Sequence, residues 1–153
     1  MKRLAVLVAL ATPAFGAGKA SFEVPAIGDL LSIEGKDCVV TGDLAKGAFE
    51  VSLVSCTTGI KMRDGHMCED MECAKFPVAK AQLTGLPSAD GKFKLAGTLT
   101  LHGVEKPLEG DGEMKKGTLE ASFKVRLEDF GIKRRTHLGV GVGEVASVKV
   151  EFK

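Results

Sequence analysis

Between positions 62 and 73 the chain gathers Met62, His66, Met67, Cys68, Met71 and Cys73. Thioether, imidazole and thiolate together suit Cu(I), so a copper-binding protein using this cluster is one possibility. Two features favour a simpler use of these residues. Met67 and Met71 are four apart, the spacing of one helix face, and cysteines of an exported chain are expected as disulfides, not thiolates. The overlapping trio Arg63, Asp64 and His66 has the types needed for acid–base work, yet no activated nucleophile lies near it in sequence. Asp64 fits better as a helix N-cap, with Arg63 in an ion pair that pins the helix over one end of the fold. His66 and His102 are two imidazoles without a third ligand, a weak metal signal. Lys133-Arg134-Arg135 could meet an anionic lipid head, although such a run is more commonly a solvated loop. The stretch His137-Leu138-Gly139-Val140-Gly141-Val142-Gly143 lacks the Lys-Ser/Thr ending of a phosphate loop. Its alternation of Gly with Val instead fits a strand approached closely by another backbone or by a ligand. No catalytic residue, metal ligand or cofactor is therefore expected.

Strands must position whatever these residues do. From Ser21 onward the pattern alternates, with turn residues every eight to twelve positions. Phe49, Val51 and Leu53 share one face. Phe93, Leu95, Gly97, Leu99 and Leu101 share another, as do Leu119, Ala121, Phe123, Val125 and Leu127, and finally Val148, Val150 and Phe152. Each strand thus has one wet and one dry face. Asp90-Gly91 and Lys116-Gly117 supply hairpin turns. Only Thr57 to Lys75 breaks the alternation, and it reads as one short helix inserted between strands, ended by Phe76-Pro77. One-sided strands without a run of helices leave a sandwich or a closed barrel. The dry faces mix large residues (Phe49, Phe93) with small ones (Gly97, Ala121), so the interior is either packed large against small or open as a channel. Periodicity does not separate these outcomes.

The start of the chain sets the expected compartment. Lys2-Arg3, the apolar run Leu4 to Ala11, Thr12-Pro13 and the small residues Ala14, Gly16, Ala17 and Gly18 have the layout of a signal peptide. The run is about half the roughly 20 residues of a membrane span. Residues 1–18 are read as the signal, cleaved after Gly16 or Gly18, and 19–153 as one domain without stable membrane insertion. The chain carries 21 Lys+Arg against 20 Asp+Glu, or 19 against 20 without Lys2 and Arg3. This balance gives no support to nucleic-acid binding. Nineteen glycines suit many tight turns. Cys38, Cys56, Cys68 and Cys73 allow three pairings, and Cys68 could reach Cys73 only if the helix breaks between them.

Three ordered motifs carry a resemblance. They are Thr58-Gly59-Ile60-Lys61-Met62-Arg63-Asp64-Gly65-His66-Met67 with Lys75-Phe76-Pro77, then Gly97 to Leu101 followed by His102-Gly103-Val104-Glu105-Lys106-Pro107, then Leu127-Glu128-Asp129-Phe130-Gly131-Ile132. With the closing Val145 to Phe152 strand, the chain resembles the YceI-like family over essentially its whole mature length. Gly35-Lys36-Asp37-Cys38 replaces a longer hairpin, and Cys56 and Glu105 depart from the usual pattern. The resemblance implies an all-β fold, an extended antiparallel lipocalin-like β-barrel with a long apolar cavity. It also implies a periplasmic protein that binds an isoprenoid chain, a polyprenyl lipid or an isoprenoid quinone, without catalysis. The expected lining is Phe49, Val51, Leu53, Leu83, Phe93, Leu95, Leu99, Leu101, Phe123, Val125, Val140, Val142, Val148 and Val150. A barrel with a filled core, acting as a structural or interaction module, is the remaining alternative.

Overall fold

The alternating segments become strands that wrap their dry faces around a common axis. The structure, a computed structural model, describes residues 16–26, 31–133, 136–137, 140–141 and 143–153. Its elements are β1 (Gly16–Ala26), β2 (Leu31–Asp43), β3 (Ala48–Ser52), α1 (Lys61–Asp70), β4 (Val78–Thr84), β5 (Gly91–Leu101), β6 (Val104–Lys115) and β7 (Thr118–Arg126). The short β8 (Thr136–His137) and β9 (Val140–Gly141) and the closing β10 (Val145–Phe152) follow. Eight strands form a closed antiparallel barrel in the order β1-β10-β7-β6-β5-β4-β3-β2, with β8 and β9 pairing as a separate ribbon. Closure of β1 on β2 and β10 removes the free edges that an open sheet would expose. Between sandwich and barrel, the chain has chosen the barrel.

Turn chemistry explains the two tight hairpins. Lys116 and Gly117 both have positive φ (48° and 80°), as a two-residue primed turn requires, and they join β6 to β7. His102 and Gly103 do the same between β5 and β6 (54° and 75°). Asp90-Gly91 is not the two-residue hairpin expected from its type. It closes a longer loop that begins after Thr84, and Asp90 Oδ1 accepts a hydrogen bond from the Lys116 N–H at 3.0 Å. Gly35-Lys36-Asp37-Cys38 forms a bulge in β2: Ala20 pairs with Cys38 but Phe22 with Gly35, leaving an extra residue on β2.

The barrel interior differs between its two ends. At the end carrying the 116–117 turn, the dry faces meet in a packed layer of Val40, Phe49, Leu83, Leu95, Met114, Leu119 and Phe152, all buried. The Phe49 and Phe152 rings cross edge to face with centroids 4.9 Å apart. Gly16 and Gly42 pair with each other across β1 and β2. A Cβ there would lie 2.6 Å from the Phe152 ring and 2.8 Å from the Phe49 ring, respectively. The glycines are sockets for the two rings. At the opposite end the walls stay apart.

Candidate functional site: the cavity under helix α1

The space between those walls is a cavity of about 390 Å³, within the range of small-molecule sites. Its wall is largely hydrocarbon. Val51, Leu53, Leu99, Leu101, Phe123, Val125, Val148 and Val150 of the expected set line it. Phe22, Val24, Ile33 and Ile132 also line it and escaped sequence reading. So does Leu127, which alternation places on the dry face with Phe123 and Val125 but which is absent from the expected lining. Phe22 and Val24 carried an alternation signal, but the bulge opposite them shifts the register by which β2 would have confirmed it. Ile132 lies beyond the turn after β7, where period two no longer applies.

The other expected residues lie elsewhere. Phe49, Leu83, Phe93 and Leu95 belong to the packed end of the barrel, where Gly42 and Gly112 leave room for the Phe49 and Phe93 rings. Phe93, for instance, lies over Gly112, where a Cβ would approach its ring to 2.5 Å. Val140 falls in β9, while its side chain and Val142 lie outside the described residues. The same is true of Arg134 and Arg135, whereas Lys133 lines the cavity.

Helix α1 covers the open end. Met67 and Met71 point into the cavity, so the four-residue spacing does mark an inward face. Met62 lies outside, 73% exposed. The cysteines are paired as Cys38–Cys56 and Cys68–Cys73, which leaves the thioethers and His66 as the soft donors of the 62–73 cluster. The helix does break between Cys68 and Cys73: it ends at Asp70, and Glu72 takes a left-handed φ of 52°. That break satisfies the geometric condition for bridging the two cysteines.

Asp64 is not the N-cap. The helix starts three residues earlier, with Ile60 at the cap position and no side-chain capping bond. From inside the first turn, the Asp64 carboxylate reaches back instead and accepts from the Thr58 N–H (2.7 Å), the Thr58 hydroxyl and the Thr57 hydroxyl (3.0 Å). The Thr58 hydroxyl and N–H, more than any other group, hold this carboxyl below the usual carboxylate range. At the other end of the helical insertion, His102 Nε2 contacts Glu72 Oε2 at 2.5 Å. Its Nδ1 donates to the Phe130 carbonyl at 3.0 Å, and its ring meets the edge of Phe76. His102 is thus a tie between the β5–β6 turn, the segment after α1 and the turn after β7.

Polar groups reach the cavity where the lid meets the barrel rim: Thr58, Arg63, His66, Asp70 and Lys133. A carboxylate and two cations at the mouth, above a wall of methyl groups, can orient an amphiphile with its head at the lid and its tail inward. Among the described residues, no three His, Cys, Asp or Glu side chains cluster as a metal site would, and no helix is long and apolar enough to cross a membrane.

Comparison with known proteins agrees with this geometry. A family described as the YceI-like domain matches residues 16–153. A protein YceI of Salmonella arizonae is 36% identical over 95 residues, covering 54% of this chain and 49% of the relative. The chain therefore spans about half the length of the curated relatives it matches. A polyisoprenoid binding domain from Saccharophagus degradans implicated in plant cell wall breakdown superposes with a TM-score of 0.70 at 15% identity, covering 92% of this chain and 97% of that domain. BcnA of Burkholderia cenocepacia superposes with a TM-score of 0.67 at 17% identity, over 88% and 94%. At such identities the likeness is one of fold.

Proposed function

The chain belongs to the YceI-like family, and from that premise we propose that it is a non-catalytic carrier or scavenger of an isoprenoid lipid in the periplasm. The chain of a polyprenyl lipid or isoprenoid quinone occupies the cavity under α1. The observation that carries this reading is the cavity itself, a dry volume of about 390 Å³ bounded by Val, Leu, Ile and Phe side chains and two inward methionines. Hydrocarbon enclosed there leaves water at roughly 25 cal/mol for every Å² of apolar surface. The head group sits at the lid, within reach of Arg63 and Lys133. The solved polyisoprenoid binding domain of the same fold supports the ligand class.

Export rests on the basic, apolar and small-residue layout of residues 1–18. β1 begins at Gly16, and Gly16, Ala17 and Gly18 pair with Gly42, Thr41 and Val40. Cleavage after Gly18 removes that pairing, and cleavage after Gly16 removes the glycine on which the Phe152 ring lies. Intact mass of the protein recovered from the periplasm of an expressing host measures the cleavage site directly.

Native mass spectrometry with organic extraction of purified protein tests the carrier. A co-purifying isoprenoid is the expected result, and protein free of lipid after expression in a membrane-rich host counts against it. Leu99→Arg sharpens the test. Leu99 faces the cavity, so the guanidinium can reach towards the polar rim. The variant is expected to fold with reduced stability and to bind no lipid, whereas in a filled core it would prevent folding.

A further inference from the structure

Four large apolar side chains stand exposed among the described residues: Val39 (47%), Val54 (64%), Ile60 (49%) and Met62 (73%). Scattered singly, such residues need no explanation. These four are gathered. Val54 lies in the turn after β3, Ile60 occupies the cap position of α1, and Met62 is in its first turn. Val39 sits between the buried Cys38 and Val40 and so points outward from β2. Its N–H donates to Ser55 Oγ at 2.7 Å, beside Val54. Lys36 and Thr57 exchange backbone hydrogen bonds of 2.9 Å, which hold the same connection against β2. The patch therefore borders one edge of the lid. Thr58 and Arg63, in the same run of chain, line the cavity, so the patch reaches its mouth.

Charge accompanies the apolar groups. Residues 36–39 and 54–64 contain the exposed cations Lys36, Lys61 and Arg63, against Asp37 and Asp64. Asp37 lies 3.6 Å from Lys19, and Asp64 is taken up by Thr57 and Thr58. Ile60-Lys61-Met62-Arg63 thus alternates apolar and basic side chains, while Glu69, Asp70 and Glu72 lie at the other end of the lid. At a phospholipid surface such tips enter the acyl boundary and the cations meet the phosphates. We propose that Val39, Val54, Ile60 and Met62, with Lys36, Lys61 and Arg63 beside them, seat the protein on an anionic phospholipid bilayer. The cavity mouth then faces the membrane. This rests on the carrier reading above and adds where the cargo is exchanged. A two-fold pairing of two copies through the patch would bring these cations towards one another, whereas an anionic surface neutralises them.

The chain has no Trp or Tyr, so Met62→Trp puts a single reporter in the patch, and Lys115→Trp puts one at the far end of the barrel. The purified protein is mixed with vesicles of phosphatidylethanolamine and phosphatidylglycerol in equal parts, or of phosphatidylcholine alone. It is expected to float with the anionic vesicles and to be released by salt. The indole at position 62 should shift to the blue and be quenched by brominated phospholipid, and the indole at position 115 should do neither. Val54→Ser combined with Met62→Ser should lower the partition coefficient about tenfold, and Lys61→Gln about fivefold. Should the serine pair not fold, the two indole positions still decide. An equal response at both positions overturns the proposal, as does flotation undiminished in the folded serine pair. A blue shift at position 62 that grows with protein concentration in the absence of vesicles assigns the patch to a second copy and overturns it too. The vesicles contain no isoprenoid, so the carrier reading fails or stands separately. Co-purified isoprenoid without flotation sinks the docking alone, and flotation of a protein that never carries lipid sinks the carrier alone.

Discussion

Asp64 shows how one side chain secures a lid without being a cap. Its carboxylate accepts three hydrogen bonds from Thr57 and Thr58, two of them from hydroxyls, and these bonds favour the charged form and depress its pKa. The sign of the pH effect follows. A carboxylate whose folded pKa lies below its unfolded value, ordinarily about 3.9, stabilises the fold fully above that value and loses the contribution as pH falls through the depressed one. The lid anchor should therefore be insensitive to pH across the neutral range and loosen only in strong acid. Asp64→Ala is expected to raise amide exchange across residues 61–70 at neutral pH while leaving β4 to β7 protected. Exchange unchanged in the variant would show that α1 does not depend on this anchor. Sequence reading found the residue and its partner element but placed it one helical turn out of register. An N-cap signal and a reach-back from the first turn use the same residue types.

At the scale of elements, the strands were the legible part. Period two identified β3, β5, β7 and β10, because a strand with one wet face records its own orientation. The short helix was legible as a gap in that period. What spacing did not give was the disulfide pairing, which depends on strand neighbours far apart in sequence: Cys38 lies on β2, and Cys56 follows the turn after β3. The two bridges have different tasks. Cys38–Cys56 closes a separation of 18 residues and both of its cysteines are buried. Cys68–Cys73 spans 5 and fastens the end of α1. By loop-closure entropy the first contributes about 3 kcal/mol and the second about 2. Replacing Cys38 and Cys56 by Ala should lower the thermal midpoint more than replacing Cys68 and Cys73 by Ser. The second pair should instead increase exchange in residues 68–76 and weaken retention of the lipid. Equal shifts in midpoint from the two pairs would contradict this division.

For the whole molecule, the question that alternation leaves open, filled or hollow, has a divided answer. An inward Leu reads the same in sequence whether it touches another side chain or an empty volume, so Leu101 and Leu119 were indistinguishable there. What distinguishes them is the residue opposite, and that requires the barrel's register: glycines facing Phe49, Phe93 and Phe152 at one end, and Val, Leu and lid methionines held apart at the other. Eight strands enclose an interior just wide enough either to be filled by side chains or to hold one small ligand, and this barrel is filled over one part of its length and hollow over the other. The division makes a stability prediction. Leu119 is 1% exposed inside the packed layer, and Leu101 is 7% exposed on the cavity wall. Leu119→Ala removes contacts on every side and leaves a new void, and should cost about 4–5 kcal/mol, the upper part of the range for buried Leu→Ala. Leu101→Ala enlarges a space that already exists, so it loses fewer contacts and should cost about 2–3 kcal/mol. Urea unfolding of delipidated protein, with equal m-values as the condition for comparison, separates the two. If Leu101→Ala proves as damaging as Leu119→Ala, the lid end is packed in solution and the barrel is filled throughout.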